Sequence, residues 1–274
     1  MSIKYFRILA IAKKGFQEKT RAFPLSFMVA RVIEAAYVCL SGFLIYRFVF
    51  NRSVDDRFVS LSGTSDYLSY LIIGVIMYLL AVSMMMNIGR SLITELRQGT
   101  IEPLLVSPIS MFEYLLGTLI EYLLATAIEI SAIIIIGYFL GARFYDISIF
   151  PLILSIILCI IAFFCFSIFI CFFMLYFRDT YITQNTIGVL ISFICGVSFP
   201  IEYLPLPIQY LSKIFPLAPA ISLFREILIN GFNGYSTDFI QNLIHIVVLS
   251  IIYGSVGLLV LSKKRREIVE KIFA

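Results

Sequence analysis

The sequence predicts an all-α integral membrane protein, and three observations carry that expectation. Of 274 residues, 61% are hydrophobic and only 14% charged, with a mean hydropathy of +0.99, more apolar surface than a soluble domain of this length hides. The apolar residues fall in runs that meet the requirement of about 20 residues for a helix crossing a bilayer. The basic residues gather at the ends of these runs, on one side more than the other. A single membrane domain occupies the chain, with no room for a second, soluble one. The net charge of +4 is small and carries no nucleic-acid signal.

Residues 1–22 open the chain. Tyr5, Ile8, Leu9, Ala12 and Phe16 follow helical spacing, with Lys4, Arg7 and Lys14 elsewhere on the wheel. That pattern suits a basic amphipathic helix lying in the headgroup region. A signal peptide would need a short apolar core and a small-residue cleavage site, and neither follows. Residues 23–265 form the membrane domain, with six spans at about 25–48, 67–89, 112–140, 149–176, 184–200 and 239–262. The third and fourth are long enough to tilt. Residues 266–274 are left as a tail.

Between the second and third spans lies a polar island, Arg90 to Glu113, reading RSLITELRQGTIEPLLVSPISMFE. Glu95, Arg97 and Gln98 end one helix, and Gly99 is a good residue to stop it. Thr100 can cap a second, short helix with Ile101, Leu104 and Leu105 on its apolar face. Ser107-Pro108 ends that piece, and Ser110-x-x-Glu113 is a capping box opening the next long helix. A chain that only turned round would not need three helix-end signals here.

Orientation follows from the basic residues. With the N-terminus inside, fourteen of the 21 lysines and arginines fall on inner segments and six on outer ones, Arg31 being set within the first span. This asymmetry places both termini and the island in the cytoplasm. The outer side then carries a short loop with Asp55, Asp56, Arg57 and Asp66, and a tight turn near Gly141 to Asp146.

The third outer segment, FPIEYLPLPIQYLSKIFPLAPAISLFREILINGFNGY from Phe199 to Tyr235, is apolar yet broken by Pro200, Pro205, Pro207, Pro216 and Pro219. Those prolines forbid one continuous helix. The pieces between, Ile208 to Phe215 and Ala220 to Ile229, are helix-compatible, and Gly231 with Gly234 suits the turn that follows. Two short helices dipping part-way into the outer leaflet fit this pattern, provided protein covers their broken backbone.

The five cysteines, Cys39, Cys159, Cys165, Cys171 and Cys195, lie in apolar runs without CxxC or Cys/His spacing, and read as packing residues. His245 is the sole histidine and reads as a packed or hydrogen-bonded one. No GxxxxGK[ST] loop occurs, so ATP phosphates have no P-loop to bind. No HExxH or GxSxG motif is present either.

The island ELRQGTIEPLLVSPIS (95–110) resembles the cytoplasmic loop of ABC-2 type transport permeases. GVSFPIEYLP (196–205) and FPLAPAISLFREIL (215–228) resemble the segment before the last span of that family. The resemblance implies half of an exporter's membrane part in the plasma (inner) membrane of a prokaryote. Two such chains, as homodimer or related heterodimer, pair to give twelve spans, and two copies of a separate ABC ATPase bind on the cytoplasmic side. ATP and Mg would sit on those partners, with no cofactor on this chain. Carried over, the ATPase-coupling elements are residues 1–20 and, in the loop, Glu95, Arg97, Gly99, Thr100, Glu102, Pro103, Leu104 and Leu105. The outer gate would involve Pro200, Glu202, Pro205, Pro216 and Arg225.

Charges inside spans are costly and call for a reason. Arg31 and Glu34, three residues apart, read as a local ion pair near the inner end of the first span. Glu121 and Glu129 in the third could line the path between two subunits, pair with Arg31, or lie near headgroups. Arg178-Asp179 reads as a solvated turn. Polysaccharide and teichoic-acid exporters of the family carry a basic, tryptophan-containing stretch entering the first span. This chain has RAFPLSFMV there and no tryptophan, which points toward the drug, peptide or lipid exporters, with a lipid-linked glycan exporter as the alternative. A lipid-modifying enzyme using Glu121 and Glu129 as acid and base lacks a surrounding signature. A channel or secondary transporter would need a polar pore face or an inverted repeat, and no repeat is evident.

Overall fold

A computed structural model describes residues 2–22, 24–50, 54–142, 148–177, 186–229 and 236–273. Twelve α-helices form in these residues and no strand: α1 (Ser2–Ala22), α2 (Pro24–Leu44), α3 (Asp56–Ser62), α4 (Tyr67–Val82), α5 (Ile88–Arg97), α6 (Ile101–Val106), α7 (Met111–Phe139), α8 (Ile149–Phe177), α9 (Ile187–Ile194), α10 (Leu206–Ser212), α11 (Leu217–Leu228) and α12 (Thr237–Phe273). A π-helical turn, Ser83–Asn87, joins α4 to α5, so Tyr67–Arg97 runs as one helix of 31 residues. Arg178, Asp179, Gly231 and Gly234 lie outside the described residues, as do the side chains of Arg31, Glu34, Glu102 and Leu105.

Four stretches are long and apolar enough to cross a membrane by length and composition: Tyr67–Arg97, Met111–Phe139, Ile149–Cys171 and Thr237–Leu259. They coincide with the second, third, fourth and sixth expected spans. In the region of the first, Ala36–Phe48 is a shorter apolar helix, and in that of the fifth α9 covers eight residues. The chain leaves α9 through Cys195 into Gly196, whose φ of 72° is the left-handed conformation that glycine supplies.

Tyr67–Arg97 is the central helix. Of its most apolar stretch 72% is buried, against 22% for Thr237–Leu259. It packs on α7, α8 and α11, and its Met77, Met84, Met85, Met86, Ile88 and Leu92 are all essentially inaccessible. Methionine suits the π turn, where an unbranched side chain fills irregular space. The broadest helix pair is α8 with α12.

Several local features follow from sequence signals. Asp66 caps α4, its Oδ1 accepting from the amides of Leu68 (3.1 Å) and Ser69 (3.5 Å). Ser110 and Glu113 form the expected capping box at the start of α7, with amide bonds of 3.1 and 2.8 Å. α3 stands where a plain loop is expected, because Phe58 has Tyr67 and Tyr70 to pack against, at ring-centroid distances of 5.8 and 5.0 Å. α1 is helical throughout. Ile11 and Ala12 turn toward the bundle, whereas Tyr5 and Leu9 are exposed. The proline-rich segment gives a 3-10 turn (Ile201–Tyr203), α10 and α11, with Pro205 and Pro216 as N-caps.

Candidate functional site

Two polar clusters sit at opposite ends of the central helix. The first gathers the island around Glu95. Gly99, at φ 71°, ends the helix as expected, and α6 starts at once. Thr100 occupies the N-cap position of α6 but does not cap it: its hydroxyl donates to the Glu95 carbonyl (3.2 Å) and, at short range, to Glu95 Oε2. Tyr114 of α7 donates to Glu95 Oε1 at 3.1 Å. Lys14 of α1 lies 3.8 Å from the same oxygen. Glu95 is therefore turned inward, its side chain only 14% exposed, and ties α1, α5, α6 and α7 together.

α1 is held on the far side of the island as well, where Arg7 Nη1 donates to the Pro108 carbonyl at 2.6 Å. Glycines let it lie close to α7. A Cβ on Gly117 would stand 2.6 Å from Ile11 and 3.0 Å from the Ile8 carbonyl; one on Gly15 would stand 1.9 Å from the Glu121 carboxylate. Between α1, α5 and α7 a cavity of about 160 Å³ remains, lined by Lys14, Glu95, Tyr114, Thr118 and Glu121 among others.

Of the remaining island residues, Arg97, Gly99 and Pro103 are exposed, and Leu104 packs against the core. Glu121 and Glu129 are both buried, at 5% exposure. Glu121 faces α1. Glu129 sits two turns further along α7, a helix that packs on α1, α2, α4 and α5.

The second cluster gathers around Arg225 of α11. Its Nη1 donates to the Tyr70 hydroxyl (2.7 Å) and the Gly196 carbonyl (2.9 Å); its Nη2 donates to the carbonyls of Val197 (2.7 Å) and Tyr70 (3.3 Å). The guanidinium lies over the Tyr70 ring, 3.4 Å from its centroid. Burial pulls its pKa down to about 10, so it stays charged at neutral pH. One guanidinium thus joins the central helix, the turn after α9, and α11.

Gly74 makes this possible. A Cβ there would stand 2.1 Å from the Val197 carbonyl oxygen and 2.7 Å from Arg225 Nη2. Beside the guanidinium lies a cavity of about 500 Å³ bounded by Pro200, Glu202, Glu226, Asp238 and Asn242 among others. Pro200 and Pro216 are buried, while Glu202 and Pro205 are exposed.

Sequence reasoning named Glu95 and Arg225, and took Lys14 and Gly15 only as part of residues 1–20, but gave no place to Tyr70, Gly74, Tyr114 or Gly117. Tyrosines near span ends read equally well as an interfacial belt, and a glycine within an apolar run gives no sign of what approaches it.

A family model described as "ABC-2 family transporter protein" matches residues 48–259. The match takes in the central helix, the island and the whole Arg225 cluster, and begins after α1. No curated protein matches the chain.

Proposed function

Because the chain belongs to the ABC-2 family of transporter proteins, we propose that it is the membrane subunit of an ATP-driven exporter whose ATP is hydrolysed by a separate subunit. Family membership carries the first half of that reading: this is the transmembrane part of an ABC transporter, partnered by an ABC ATPase. Export, pairing and cargo are our own reading. Two copies, or this chain and a related one, form the translocation unit with two ATPases. The bias of basic residues supports cytoplasmic termini and a cytoplasmic island. Six spans are completed by α2 and by the segment that includes α9. α1 lies in the inner headgroup layer, and the α10–α11 hairpin dips into the outer leaflet to close the path.

The observation that carries the coupling role is the order of the island. Glu95, Thr100, Lys14 and Tyr114 hold α6 in a fixed position on the bundle, leaving Arg97, Gly99 and Pro103 exposed for a soluble partner. A loop that merely reversed the chain would have no use for that bracing. Force applied at α6 acts by favouring one of two arrangements of the membrane part. The cargo is a hydrophobic or amphipathic molecule of the drug, peptide or lipid kind, in keeping with the absent tryptophan. Glu121, seated against α1, supports a packing role over one lining the path.

The test is co-purification of the chain with the ABC ATPase encoded beside it. A stable complex of two chains and two ATPases is expected. Transport by the chain with no ATPase bound would sink the proposal.

A further inference from the structure

The Arg225 cluster lies on the helix that, about 37 Å away at 1.5 Å per residue, ends in the island. We propose that Tyr70 and Gly74 are positioning residues: by seating Arg225 they fasten the proline-rich hairpin to the central helix, so that hairpin and island move as the two ends of one lever. The inference rests on the transporter reading for what the lever does, and on geometry alone for the seat itself.

The seat is specific in three ways. Tyr70 contributes its hydroxyl, its carbonyl and its ring face to the same guanidinium. Gly74, one turn on, leaves the space that Val197 and Arg225 Nη2 fill, so any side chain there displaces backbone rather than a flexible tip. Arg225 spends its two terminal nitrogens on Tyr70, Gly196 and Val197, the residues whose relative position the seat fixes. No carboxylate among the described residues lies within ion-pairing distance of it. A part-buried charge whose two terminal nitrogens are met by neutral groups from separate segments, with Nε left without a partner, loses bonds it cannot replace when any one segment moves away. The hairpin and the helix therefore shift together or break both Tyr70 hydrogen bonds and the ring contact.

The test places nitroxide labels at Tyr210 on α10 and Phe139 at the end of α7, both exposed at 67% and 82%, and measures their separation by pulsed electron paramagnetic resonance in lipid nanodiscs. Gly74→Ala and Tyr70→Phe are compared with the parent, first as the chain alone and then in complex with the ABC ATPase, with and without ATP. The parent is expected to give one narrow separation that shifts when ATP binds. Gly74→Ala should broaden it and reduce the ATP-dependent shift; Tyr70→Phe should raise the displaced fraction about tenfold, the size expected from losing one hydrogen bond to a charged group. Parent-like separations and an intact ATP response in Tyr70→Phe overturn the proposal, even if Gly74→Ala fails to fold. If the parent binds no ATPase, the transporter reading fails, while the measurement on the chain alone still decides the seat.

Discussion

A hydrogen bond to a charged group contributes about 1.5–3 kcal/mol, whereas an exposed ion pair contributes about 0–1 kcal/mol, and the Glu95 carboxylate makes both kinds, with Tyr114 and Thr100 as donors and Lys14 as counter-ion. Its bond from Tyr114 is part-buried at 3.1 Å, while Lys14 is 61% exposed and 3.8 Å away. Tyr114→Phe should therefore destabilise the folded chain by about 1.5–3 kcal/mol in denaturant unfolding, and Lys14→Ala by less than about 1 kcal/mol. Equal losses would mean that the tyrosine's hydrogen bond holds Glu95 no more firmly than the ion pair does. Gly99 sets a third scale. No atom lies within 4 Å of where its Cβ would be, so Gly99→Ala meets only the left-handed backbone, costing about 1–2 kcal/mol. Sequence made Gly99 and the Ser110–Glu113 box legible because both act within a few residues of themselves. Thr100 was misread, since its choice between capping α6 and bonding Glu95 depends on a carboxylate brought back by the Gly99 turn.

At the scale of elements, the docking of α1 on α7 separates two glycines that look alike in sequence. At Gly117 an added methyl meets Ile11 and the Ile8 carbonyl, backbone and branched side chain that cannot swing aside; at Gly15 it meets only the end of the Glu121 side chain. Gly117→Ala should cost about 1–3 kcal/mol by overpacking and expose the α1–α2 junction to protease; Gly15→Ala should do clearly less. Protection from protease in Gly117→Ala would show that α1 does not depend on this contact. The π turn in the central helix is another element whose consequence is readable. Ser83 and Thr126 of α7 are bonded there, both buried. Thr126→Val strands a buried hydroxyl, an expected loss of about 1–3 kcal/mol in thermal or denaturant unfolding. The four long apolar helices were legible from run length, which bilayer thickness dictates. The π turn and α3 were not, because each depends on a neighbour: α8 beside the methionines, Tyr67 and Tyr70 beside Phe58.

For the whole molecule, the exposed faces of the long helices are apolar. Ile153, Ile157 and Ile161 on α8, and Ile244, Val248 and Ile252 on α12, are each at least 45% exposed, in stripes that fit lipid rather than water. A lysine at position 157 should raise the free energy of inserting α8 by about 2.5–3.5 kcal/mol, the price of a charge near the centre of a spanning helix; normal insertion would place this face away from lipid. Along the molecule's length, one helix bears the Arg225 cluster at one end and the braced island at the other, the two elements we propose to move together. The family was legible in the sequence because its two motifs lie in those two places. What the sequence withheld was that both motifs hang on the same helix, since Tyr70 and Gly74 announce nothing until Arg225 and Val197 arrive from far along the chain. We propose that the chain converts a partner's ATP hydrolysis into movement of this helix. The most direct test is the ATP turnover of the ABC ATPase measured in nanodiscs with the chain present, absent, or carrying Tyr114→Phe. Turnover should depend on the chain and fall when Tyr114 loses its hydroxyl; turnover identical in all three would rule out coupling through this helix.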